Sequence, residues 1–160
     1  MTTTAPIDVL VIGAGISGIG MAYHLKTLRP DTSFAVLEGR DAIGGTWSLH
    51  QYPGIRSDSD MPTFSFGFKP WTHRKSIADG HIILDYLQQT VEENDLAGHI
   101  RFGHHVDSAN FDSRQGLWTV NTTHDGHPET FTSRFLFLGT GYYDYENPYI
   151  CLLYTSDAAD

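Results

Sequence analysis

The chain has 160 residues, 40% of them hydrophobic and 18% charged, with a formal net charge of −9. That length and apolar content suffice for one buried core. The acid excess, with no basic run, argues against nucleic acid or an anionic membrane as partner, and no apolar run approaches membrane-spanning length.

Ile7 to Ile12 is a short β-branched, apolar run, as expected of a strand buried on both faces. Gly13, Gly15 and Gly18 follow at G-x-G-x-x-G spacing. Gly13 permits a tight turn, Gly15 lets a pyrophosphate approach the backbone, and Gly18 lets the next helix pack closely on the strand. That helix is predicted from Ile16 to Leu28, with Pro30 marking its end. Its free N–H groups and positive dipole end suit phosphate, and Ser17 adds a hydroxyl donor. A second strand, Phe34 to Leu37, ends in Glu38. An acid at that place can accept from a ribose 2′-hydroxyl and would repel a 2′-phosphate, so the first site is expected to hold FAD or NAD.

From Gly44-Gly45 to about Ser76 the chain reads as loop, punctuated by Pro53-Gly54, Pro62 and Pro70. It is dense in aromatics, which argues against disorder and would suit the wall of a large flat ring. Phe64, Phe66 and Phe68 alternate as on a strand face, and small-core packing is the favoured reading for them. A helix is predicted from Ile82 to Asn94, with Ile83, Tyr86, Leu87 and Val91 on one face. Short strands are predicted at Ile100 to Phe102, His105 to Phe111, Leu117 to Thr122 and Thr130 to Arg134, with a hairpin at Asp125-Gly126. Phe135 to Leu138 is a further apolar strand that runs into Gly139-Thr140-Gly141-Tyr142. The expected architecture is α/β: a Rossmann-like FAD-binding domain with a parallel sheet, helices and a small antiparallel meander as a third layer.

Cys151 to Asp160 reads like a sequencing adapter translated in frame, and is expected to be an artefact rather than structure. Without Asp157 and Asp160 the formal charge moves from −9 to −7. The one cysteine, Cys151, falls in that stretch, which leaves no thiol pair and no cysteine nucleophile. The nine histidines show no metal-ligand spacing, so no metal is expected. Residues 1–150 are read as an FAD-binding domain cut from a longer protein. The start lacks a signal peptide's basic and apolar segments, so a cytoplasmic location is expected.

Gly44-Gly45-Thr46-Trp47 and Tyr52-Pro53-Gly54-Ile55-Arg56-Ser57-Asp58-Ser59-Asp60-Met61, with Phe135 to Tyr143, carry a family resemblance. The chain resembles the flavin-dependent class B monooxygenases, and among them Baeyer–Villiger enzymes of the ethionamide-activating type. The resemblance implies FAD and NADPH as cofactors, and O2 with a small ketone, sulfide or amine as substrates. It implies oxygenation through a C4a-peroxyflavin. Gly13, Gly15, Ser17 and Gly18 would hold the pyrophosphate and Glu38 the ribose. Gly45, Thr46 and Trp47 would line the ribityl chain and flavin. Val106 would offer backbone groups to the adenine. Asp58, the catalytic candidate, would orient an arginine, with Arg56 and Ser57 beside the nicotinamide cofactor. A capping role for Asp58 is the competing reading. A second G-x-G-x-x-G and the family fingerprint expected after Tyr149 are not in this sequence. The chain is therefore not expected to turn over alone. A related reductase, an N-hydroxylating flavoenzyme or a non-catalytic FAD-binding fragment are the alternatives.

Overall fold

The computed structural model describes residues 5–143. The expected adapter-like tail lies outside the described residues. In chain order the elements are β1 (Ile7–Ile12), α1 (Ile16–Leu28), β2 (Phe34–Leu37), α2 (Thr46–Leu49), α3 (Met61–Phe64), α4 (Gly80–Glu93), β3 (Ile100–Arg101), β4 (His104–Asp112), β5 (Leu117–His124) and β6 (His127–Leu138). A single 3-10 turn, Ala97–His99, leads into β3.

The strands form one six-stranded sheet in the order β3-β2-β1-β6-β5-β4. β1 pairs in parallel with β2 and β6, and β2 with β3. β4, β5 and β6 pair antiparallel. Alternation along β1 sends its side chains to two cores. Val9 and Val11 meet Ile19, Ala22 and Leu25 of α1 and Tyr86, Leu87 and Val91 of α4. Leu10 and Ile12 meet Ala35, Leu37 and Val120, with Val106, Trp118 and Phe131 packed around them. The antiparallel half of the sheet thus folds over the face that the helices leave bare. This is why β1 and β2 read as unbroken apolar runs.

The meander is continuous with the parallel sheet, not a separate sheet, and two predicted strands are one. β6 runs unbroken from His127 to Leu138. Its first half pairs with β5 and its second half with β1, and Ser133 is in register with both Trp118 and Ile7. No glycine or proline interrupts residues 129–138, so the polar Ser133-Arg134 marks a change of neighbour and not a break. The β5–β6 turn places Asp125 at φ 49° and Gly126 at φ 76°, which a two-residue hairpin of this hand requires.

The Phe64–Phe68 stretch is not a strand. Asp60 caps α3, accepting from the Thr63 N–H at 3.0 Å and the Thr63 hydroxyl at 2.8 Å. The chain then turns so that the Phe66 N–H donates to the Tyr86 hydroxyl at 2.9 Å, which itself donates to the Lys69 carbonyl at 2.6 Å. Phe68 stacks on Tyr23, with ring centroids 3.5 Å apart, and Phe66 stacks on Phe68 at 4.8 Å. These two rings do fill a small core beneath the loop. Burial raises the Tyr86 phenol above its ordinary pKa.

A Cβ added at Gly18 would lie 1.8 Å from the Gly13 carbonyl oxygen, whereas one at Gly98 would meet nothing within 4 Å. Gly18→Ala is therefore expected to destabilise the chain by about 3 kcal/mol, the upper end for an overpacked site. Gly98→Ala should stay within about 0.5 kcal/mol of the parent. Urea unfolding of the two variants checks this difference.

Candidate functional site

The parallel strands β1, β2, β3 and β6 end side by side, and the last carbonyls of β1, β2 and β3 accept from residues that follow neighbouring strands. The Gly13 N–H donates to Leu37 O at 2.7 Å, and the Gly139 N–H to Ile12 O at 2.8 Å. The Glu38 N–H donates to Arg101 O at 2.9 Å. Above these ends lies a cleft of about 690 Å³. It sits at β1, where the connections diverge to β2 on one side and β6 on the other, the usual ligand position in doubly wound sheets.

Two glycine loops form the floor. Gly13 takes φ 93°, and a Cβ there would lie 2.6 Å from Gly139 O. Gly45, at φ 56°, would carry its Cβ 3.2 Å from the Gly15 Cα. The loops therefore touch backbone to backbone, held by the Gly44 N–H donating to Ala14 O at 2.9 Å. The first turn of α1 holds no acidic residue and no side-chain cap, so its N–H groups remain available to an anion. Ser17, exposed in that turn, lines the cleft. Gly18 lies beneath, against the Gly13 carbonyl, and positions the helix without facing the cleft.

Glu38 is buried at the end of β2, yet it lines the cleft. One carboxylate oxygen accepts from the Ala14 N–H at 2.8 Å and the other from the Arg40 N–H at 3.0 Å. The acid thus ties the first glycine loop to β2. Each oxygen keeps a further lone pair for a ligand hydroxyl. Arg40, which sequence reasoning missed, donates from Nη2 to Gly45 O and to Ser48 Oγ, both at 3.0 Å. Its Nε lies 3.6 Å from Glu38 Oε1, so one guanidinium joins the acid to the second glycine loop. The available signal was a cation two residues beyond the strand-ending acid.

Thr46 and Trp47, in α2, line the opposite part of the cleft with Phe64. Trp47 meets Phe64 edge to face at 6.1 Å and also borders a second cavity of about 470 Å³ with Tyr52, Ile55 and Leu84. Val106 lines the cleft from β4, next to a register shift between Val106 and Ser108. Ser57 and Asp58 also line it. Ser57 is buried, with its Oγ accepting from the Ala78 N–H at 3.1 Å. Asp58 is exposed, and among the described residues it has no hydrogen-bond or ion-pair partner. The capping role falls to Asp60 instead. Arg56 is not brought into the site: it is exposed, forms an isolated backbone bridge with Asp79, and lines neither cavity.

A glycine-floored cleft at the ends of the parallel strands, where the connections diverge, defines a Rossmann-like α/β nucleotide-binding fold. More narrowly, the chain belongs to the pyridine nucleotide-disulphide oxidoreductase family, whose model matches residues 10–151. It is 48% identical over 146 residues to the FAD-containing monooxygenase EthA of Mycobacterium tuberculosis (strain ATCC 25618 / H37Rv), covering 91% of this chain and 30% of that protein. Among solved structures it is similar to an oxidized steroid monooxygenase bound to NADP, with TM-score 0.77, 31% identity, and coverage of 86% of this chain and 26% of that one. It is also similar to OTEMO in complex with FAD and NADP, with TM-score 0.75, 30% identity, and the same coverage of 86% and 26%. The chain thus spans about 30% of the length of the curated relatives it matches.

The division of labour between the two aspartates is testable by pH. The Thr63 hydroxyl and N–H hold the Asp60 carboxyl below its usual range. A lowered folded pKa gives stability that is full above the unfolded value and is lost as pH falls through the folded one. Thermal melts from pH 6 down to about pH 3 should show an acid loss, since carboxylates titrate near pH 4. Asp60→Ala should remove part of that loss and lower the midpoint at neutral pH. Asp58→Ala should change neither.

Proposed function

We propose that residues 1–150 are the FAD-binding part of an NADPH- and O2-dependent flavoprotein monooxygenase acting on a small ketone, sulfide or amine. The observation that carries the reading is the pair of glycine loops meeting back to back beneath the open N-terminus of α1, with Glu38 at one end and Trp47 at the other. A side chain at Gly45 would press on the Gly15 backbone, and the unsatisfied first turn of α1 suits a pyrophosphate. The residues present therefore fit a dinucleotide. The monooxygenase names and the bound FAD and NADP of the similar proteins support FAD over other nucleotides. A disulfide relay within these residues is disfavoured, because the sequence has a single cysteine, Cys151.

In this reading Gly13, Gly15 and Ser17 hold the pyrophosphate, Gly18 seats the helix that faces it, and Glu38 accepts from the adenosine ribose. Val106 backs the adenine, while Gly45, Thr46 and Trp47 line the flavin end. When bound, FAD supplies hydride acceptance from NADPH and the activation of O2. Asp58, without a hydrogen-bond or ion-pair partner among the described residues, serves as a positioning residue for a cation from outside them. Ser57 fixes the Asp58 backbone through its bonds to Ala78, and NADPH would approach from this side, where Arg56 lies at the surface. Such a catalytic site is expected to require more chain than these residues provide.

Incubation of the 160-residue chain with FAD, followed by gel filtration, should leave a yellow protein with quenched flavin fluorescence. Ser17→Glu places a negative charge in the first turn of α1. It should weaken FAD binding about tenfold through like-charge repulsion while leaving the fold as stable or more so. A parent chain that retains no flavin, or a Ser17→Glu variant that binds as tightly, would overturn the placement of the pyrophosphate.

A further inference from the structure

Two adjacent histidines at the start of β4 have different surroundings. His104 is spent on the fold: its ring stacks on His124 at 4.1 Å, and its Nδ1 is 2.7 Å from Phe102 O. His105 has no aromatic neighbour among the described residues. Its side chain is 72% exposed, and it lines the cleft. Its Nδ1 lies 3.1 Å from Asp107 Oδ1, and the other Asp107 oxygen accepts from the Thr123 hydroxyl at 2.8 Å. Asp107 is the residue skipped in the β4–β5 register, between Val106 and Ser108. Extra residues of this kind commonly re-aim side chains beside a site.

The place of the ring is equally specific. A Cβ built on Gly39 would lie 3.8 Å from the His105 Cδ2, so the imidazole sits over the residue that follows Glu38. In a dinucleotide the purine is attached to the ribose on the side away from the pyrophosphate. With the pyrophosphate at Gly13–Ser17 and the ribose at Glu38, the next group in covalent order falls on Gly39 and β4.

We infer that His105, held in orientation by Asp107, is the aromatic platform on which the purine of the bound dinucleotide stacks. The inference rests on the FAD reading above and deepens it. Asp107 acts as a positioning residue: anchored to Thr123, it spares the imidazole the entropy of being ordered when the ligand arrives. The hydrogen bonds from Thr123 and His105 also hold the Asp107 carboxyl below its usual range, which keeps it an acceptor for the ring N–H.

The test measures FAD affinity by fluorescence quenching and ADP affinity by competition against FAD, using the 160-residue chain. His105→Ala should weaken FAD and ADP by the same factor, about fivefold to tenfold, the lower range for a base stacked on an aromatic side chain. His105→Phe, which keeps the ring and loses the Asp107 bond, should restore both. Asp107→Ala should weaken binding in the parent and have no further effect beside His105→Phe, an outcome that a purely structural role would not give. Unchanged affinities in His105→Ala, or failure of His105→Phe to restore them, would overturn the inference while leaving the FAD reading in place. A parent chain that does not bind FAD, or whose FAD is not displaced by ADP, would overturn the reading of the cleft and this inference with it.

Discussion

The turn between β1 and α1 is the constraint on which the rest of the structure depends. A side chain at Gly18 would lie 1.8 Å from the Gly13 oxygen, and one at Gly13 would lie 2.6 Å from the Gly139 oxygen. Helix, first strand and the exit of β6 therefore converge on one point that admits only backbone. The consequence is directional. Because α1 begins directly over the end of β1, its N-terminus must face the ends of β2 and β6 as well. A glycine in a helix carries an entropic penalty, and here that penalty is offset by a helix end held where no longer side chain would allow it.

The same backbone contact organises the charges. Glu38 would be an expensive burial if it stood alone, since desolvation of a carboxylate must be met by donors. It is met by the Ala14 and Arg40 N–H groups. Arg40 then extends the network to the second glycine loop through Gly45 and Ser48. The acid, the two loops and the arginine thus form one preorganised unit, with the Glu38 carboxylate fixed at the wall of the cleft. A mobile acid at the same sequence position would have to be ordered on binding.

Much of this was legible in the sequence, and the parts that were not have a common cause. β1, α1 and β2 end where the apolar runs, the glycines and Pro30 place them, because their neighbours are close in sequence. The extent of β6 was not legible. Whether Ser133 ends one strand or changes the partner of a longer one depends on β1, more than a hundred residues earlier in the chain. The alternating Phe64, Phe66 and Phe68 suggested a strand for the same reason. Alternation shows that side chains point opposite ways, but here Asp60 and Tyr86 bend the segment by hydrogen bonds that no local pattern encodes. In the site, the glycines and Glu38 were readable because their spacing follows from backbone geometry. Arg40 and His105 were not, because a surface cation and a surface imidazole look alike in sequence whether or not they border a cleft.

The cleft is a floor without a complete enclosure. β6 has no second neighbour beyond Ser133 among the described strands, and Phe135 and Leu138 stand 67% and 66% exposed along that length. Tyr142, at the rim of the cleft, is 87% exposed. Binding a dinucleotide needs the floor: a backbone cradle, a helix end and an acid. Oxygen chemistry on such a cofactor needs in addition a site from which water is excluded, because electrostatic control and protection of reactive species both weaken in an open, high-dielectric cleft. Along this chain the hydrogen-bonded floor and the open rim are separate. Glu38, Arg40 and the two glycine loops are bonded to one another, while the first turn of α1 keeps its N–H groups open to the cleft. Asp58 lines the same cleft, and among the described residues it has no hydrogen-bond or ion-pair partner.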